Sequence, residues 1–202
     1  MSRRRYLLAA AAMLLGVGAA LAAPPSAGTT VADPSTLPGI NTGDAPWPAE
    51  LEHLKARLEA DKLPALEAEG TVLHTHQHLD IFIDGRAIPV PAGIGINDAE
   101  QFISPSHVHD DTGILHVESP KIDTFTLGQF FDIWGVRFDA KCIGGYCATL
   151  EKPLHVHVNG KLQDGDPRLI ALKPHQEIAI VYGSKDEQPK KIPSSFKFPK
   201  GF

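Results

Sequence analysis

The sequence predicts an α+β domain in which one amphipathic helix lies across a mainly antiparallel sheet. Short runs with strand-like alternation recur between residues 70 and 183, at Leu79-Asp80-Ile81-Phe82-Ile83, Ile114-Leu115-His116-Val117-Glu118, 154–158 and 177–182. Two of them end in two-residue hairpin signals, Asp84-Gly85 and Asn159-Gly160. Between the second and third runs falls a single well-formed helix signature at 126–135, and helices set against an antiparallel sheet in this way define the α+β class.

The elements can be justified in chain order. Arg3-Arg4-Arg5 precedes an apolar run from Leu7 to Leu21, and Ala20-Leu21-Ala22 supplies the small-x-small pattern of a cleavage site. Residues 1–22 therefore read as a secretory signal peptide, too short to be a membrane span. Cleavage after Ala22 leaves 180 residues, periplasmic or secreted in a bacterium. It removes three of the nineteen Lys and Arg, leaving sixteen against twenty-four Asp and Glu, a net charge of −8. Such a surface argues against nucleic acid and against an anionic membrane as partners.

Residues 23–47 are rich in Pro, Ala, Gly, Ser and Thr and read as a disordered linker. In the next segment, 48–69, Leu51, Leu54 and Leu58 sit at helical spacing among charged residues, as in a surface amphipathic helix. The domain proper spans 70–183. Its first hairpin runs through Asp84-Gly85, and Pro89 and Pro91 place the returning strand at a sheet edge. Thr126-Leu127-Gly128-Gln129 fits a capping box; Leu127, Phe130, Phe131 and Trp134 then form one apolar stripe, and Gly135 stops the helix. The tail at 184–202 carries five lysines and three prolines and is expected to be extended or loosely docked.

Cys142 and Cys147 are the only cysteines, flanking Gly144-Gly145. In an oxidising compartment this spacing predicts a disulfide that clamps a loop, and it is not the Cys-x-x-Cys of thiol redox chemistry. Both methionines, Met1 and Met13, fall in the leader, so the mature chain lacks the axial ligand of blue-copper sites.

Six of ten histidines lie between His74 and His116, mostly as alternate-residue pairs. On a strand, His74, His76, His78 and Asp80 would point to one face. His107, His109 and His116 follow, with Asp110, Asp111 and Glu118 near them in sequence. Imidazoles suit Cu(II) and Zn(II), and neighbouring carboxylates orient them. The expected metal ligands are His74, His76, His78, His107, His109 and His116; Asp80, Asp110, Asp111 and Glu118 could orient a histidine, ligate directly or merely be solvated. One ion would take two ligands from the first run and complete its shell from the second. His155 and His157 alternate with Leu154, Val156 and Val158, so they face solvent or form a weaker second site. His53 and His175 read as bystanders.

No Gly-x-Ser-x-Gly, phosphate-binding glycine loop or dinucleotide fingerprint is present. Three histidines and a water on zinc would nevertheless suffice for hydrolysis, so a metalloenzyme stands beside a metal-binding protein and an interaction module with incidental histidines.

Taken together, HTHQHLDIFIDG, SPSHVHDDTGILHVESP, FTLGQFFDIWGV and CIGGYC resemble a group of exported bacterial proteins of unknown function. The resemblance covers 63–183 and implies an exported, histidine-rich domain without implying an activity. Residues 154–182 also resemble the second half of a β-grasp module, in which a strand ending in Asn-Gly precedes a terminal apolar strand. A β-sandwich of cupredoxin type is the alternative.

Overall fold

In the computed structural model, which describes residues 32–202, one long strand organises the chain. The leader at 1–22 and linker residues 23–31 lie outside the described residues. In chain order the strands are β1 (Leu73–Ile83), β2 (Arg86–Ile88), β3 (Ile96–Asn97), β4 (Phe102–Ile103), β5 (Ser106–His107) and β6 (Ile114–Ser119). There follow β7 (Cys142–Ile143), β8 (Tyr146–Cys147), β9 (Leu154–Val158), β10 (Lys161–Leu162) and β11 (Glu177–Tyr182). The helices are α1 (Leu54–Ala60) and α2 (Leu127–Trp134).

The main sheet has the order β10-β9-β11-β1-β6-β5, with β2 also paired to β1. One edge of β1 serves two partners in succession: His74 to His78 face β6, and Ile81 to Ile83 face β2, both antiparallel. Its other edge runs parallel to β11 from His78↔Glu177 to Ile83↔Tyr182. The sheet is therefore mixed, with every pairing antiparallel except this central one. Both hairpin turns form as expected, with Asp84 and Gly85, and Asn159 and Gly160, at positive φ.

Registered neighbours share a face, so the alternation of β1 sorts the molecule into two sides. Leu79, Ile81 and Ile83 join Ile178, Ile180 and Val156 in the buried core. Across that side lies α2, whose Leu127, Phe130, Phe131 and Trp134 are wholly buried. Thr126 and Gln129 make the capping box, and Gly135 closes the helix at φ 81°, a left-handed position that suits glycine. The opposite side carries the histidines. Among the described residues the main sheet is open and mixed and the other two sheets have only two strands each, so the sandwich alternative does not describe the fold.

Two segments differ from expectation. Residues 32–47 are not a free tether: Leu37 and Trp47 are buried, Trp47 meets Trp134 edge-on at 6.0 Å, and the Asn41 amide donates to the Gly135 carbonyl. The two large side chains in an otherwise thin composition decide this. The amphipathic helix is also shorter than 48–69, because α1 covers only seven residues. It is fastened through Arg57, whose buried guanidinium donates to the carbonyls of Asp132 and Ile133 and pairs with Glu50. A cation thus sits on the last carbonyls of α2, where the helix dipole favours one.

Candidate metal centre

The site is built by strand register. β6 lies between β1 and β5, and His116 on β6 stands opposite both His76 on β1 and His107 on β5. One residue step of two along β6 brings Glu118 opposite His74. Directly opposed residues have Cβ atoms about 4.5–5.5 Å apart, so three strands place His76, His116 and His107 abreast. The His76 and His116 rings meet edge-on at 4.6 Å, and His107 stacks on His116 at 5.4 Å.

Among the described residues, four groups gather ligand atoms within 4.8 Å of one another: Glu50, Glu52 and His53; His78, Asp80 and Glu177; and two that share His116 and Glu118. Of the last two, one is His74, His76, His116 and Glu118, and the other is His107, His109, His116 and Glu118. His74 and His76 bring their Nε2 atoms to 3.2 Å, and His107 and His109 bring theirs to 3.1 Å. Two ligands with bonds of about 2.0–2.1 Å on a tetrahedral ion are about 3.3 Å apart, so either pair has the bite of a chelate. Glu118 Oε1 lies 3.2 Å from His74 Nε2 and 3.1 Å from His116 Nδ1, while Oε2 is buried without a hydrogen-bond partner.

The electrostatics favour neutral imidazoles. Burial, reinforced by neighbouring imidazoles, pushes His116 down to about 3 and His76 to about 4; burial likewise takes His107 to about 4. A neutral ring keeps the lone pair that a metal needs. Burial, with Glu69 close by, pushes Glu118 up to about 7.

Glu69 is a participant that pattern reading missed. Its Oε1 lies 3.2 Å from His109 Nε2. The chain reaches this point because Gly70 passes hard against the end of β6, where a Cβ would come within 2.1 Å of the Ser119 carbonyl carbon. That glycine was a visible signal, though its meaning depends on Ser119, a neighbour distant in sequence. Beside Glu69 opens a groove of about 650 Å³ whose lining includes Glu67, Asp98, Ile96 and Phe102.

Other expected site residues fall elsewhere. His78 points to the same face but is not in either cluster: Nδ1 bonds Glu177 at 2.9 Å and Nε2 bonds the Thr112 carbonyl at 3.0 Å. Glu177 holds its charged form in favour, so the ring titrates above its ordinary value despite burial. Asp80 lies 4.0 Å from His78 and far along β1 from the cluster. Asp110 caps the turn at Thr112, and Asp111 is exposed. His155 and His157 join no group of three potential ligands among the described residues. His175, by contrast, is no bystander to the architecture: its amide donates to the His76 carbonyl and its Nε2 bonds the Phe202 carbonyl. The tail runs over this face, with Phe196 on His78, Phe198 against His175 and Phe202 against His76 and His116.

Cys142 and Cys147 are bonded and stand opposite one another in the β7–β8 ribbon, away from both clusters. Compared with known protein families, with curated proteins and with solved structures, the chain matches none.

Proposed function

We propose that this chain is an exported protein that holds Cu(II) or Zn(II) through His74, His76, His107, His109 and His116 with Glu118, in metal handling or sensing. The observation that carries the reading is the register of β1, β6 and β5, which sets three buried imidazoles abreast beside a buried carboxylate. An apolar interior does not otherwise collect such groups, since each must be desolvated. The ligand set contains neither thioether nor free thiolate, so borderline divalent ions suit it better than Cu(I), and Cu(II) leads Zn(II) in intrinsic affinity. Export is supported by the leader-like sequence at 1–22 and by the disulfide.

We read the architecture as β-grasp-like: the first and last long strands lie parallel at the centre, with the β1–β2 and β9–β10 hairpins on either side and α2 crossing between them. The histidine-rich exported group named above is the family this reading would place it in. A metalloenzyme is the second reading, favoured by the groove lined by Glu69, whose carboxylate lies 3.2 Å from His109.

The test is elemental analysis of protein purified from the periplasm, together with competition titration of the stripped chain. Copper or zinc bound at sub-micromolar affinity supports the reading. Retention of neither ion overturns it.

A further inference from the structure

Resting on that reading, we propose that the centre takes two ions side by side, with Glu118 as the carboxylate that bridges them. The ligand set is too large and too wide for one. Five imidazoles and a carboxylate exceed the four ligands of a closed zinc site. The two chelating pairs also sit on opposite flanks of β6, His74 and His76 on β1, His107 and His109 at β5. Those flanks are two strand spacings apart, roughly 9–10 Å at the backbone. Each pair already has its Nε2 atoms at the bite of one ion, and drawing all four onto a single ion would pull both pairs out of register.

Glu118 is placed between them. Its Oε1 lies 3.2 Å from His74 Nε2 on one side and 3.9 Å from His107 Nε2 on the other. Its Oε2 is buried and has no partner, an unmet acceptor that a second cation would satisfy. Paired ions sharing a carboxylate stand about 3.5–4 Å apart, which matches a bridge by one glutamate. The rim is divided in the same way: Glu69 stands beside the His109 end, and Phe202 covers the His76 end. The two positions therefore differ in surroundings, one beside the carboxylate of Glu69 and the other against an aromatic ring.

The experiment loads the stripped full chain with Cu(II), and separately with Zn(II), and counts ions retained after desalting. Two per chain are expected, and the copper form should give an EPR signal well below that of two independent spins. His109→Ala and His74→Ala change side chains that are 41% and 52% exposed, so neither threatens the fold. Each should retain one copper with a full, uncoupled signal. Glu118→Gln should abolish the coupling. One ion per chain in the parent would overturn the second position while leaving the single-ion reading intact, and no retained ion would overturn the reading itself. Two ions with independent spins would remove Glu118 as the bridge.

Discussion

Phe196 lies flat on His78, with ring planes 7° apart and centroids 3.7 Å apart. With Nδ1 on Glu177 and Nε2 on the Thr112 carbonyl, the ring is held on all sides and has no lone pair to offer. His78→Gln should therefore lower stability by about 1–3 kcal/mol, the usual cost of a broken buried hydrogen bond, and change metal affinity by less than about twofold. A calorimetric titration beside a denaturant melt separates the two effects. A large loss of affinity would return His78 to the ligand set.

His116 belongs to both ligand groups, so its loss is the most costly single change. Removing a partner that only orients a ligand already costs about 10–100-fold in affinity; His116→Ala should exceed about 100-fold for both Cu(II) and Zn(II). Competition against a chromophoric chelator would measure this directly. Near-parental binding by a folded variant would refute the shared role.

The pair Asp61 and Asp132 provides a pH test remote from the metal. Burial pushes Asp132 up to about 7 against the pull of Arg168, and the neighbouring Asp61, whose carboxyl is also raised by burial, adds to the shift. The folded chain thus binds the Asp132 proton more tightly than the unfolded one, whose Asp titrates near 3.9. The stability it contributes is complete below about pH 4 and is lost as pH rises through about 7. In Asp61→Asn the amide can donate to the Asp132 carboxylate without a proton. The variant should gain on the parent between pH 5 and pH 7.5 in urea midpoints. A pH-independent difference would contradict the influence of Asp61 on Asp132.

Replacing Cys142 and Cys147 by serine opens a five-residue separation. Loop-closure entropy puts the loss at about 2 kcal/mol, seen as a lower Tm. Metal affinity should not move, because the β7–β8 ribbon contributes nothing to either cluster. An affinity change with the fold intact would tie the ribbon to the centre.

What the sequence made legible was local. The capping box of α2, both hairpin turns and the one-sided histidine row each follow from residues within a few positions, and each stands as expected. The parallel pairing of β1 with β11 joins residues 99 apart and leaves no local signature, so only the class of the sheet was readable. The same limit applies to the site. His74, His76 and Glu118 come together through the β1–β6 register, which excludes Asp110 and Asp111 although they adjoin His109 in sequence. Glu69 depends on the close passage at Gly70, and His78 is diverted by Glu177, a residue that alternation alone does not connect to it. Residues 32–47 were misread because composition averages over Trp47, and one buried indole is enough to order its neighbours.

The ligand strands all fall between residues 73 and 119, whereas the parallel partner β11 begins only at Glu177. An ion shared by His74 and Glu118 would therefore staple a loop of forty-four residues in the nascent chain, before the sheet is complete. A covalent link across such a loop removes about 4 kcal/mol of denatured-state entropy, and a tightly held ion acts on the same ensemble as long as it stays bound. Chelators would then act as denaturants of this protein, and metal supply during folding would set how much of it reaches the folded state.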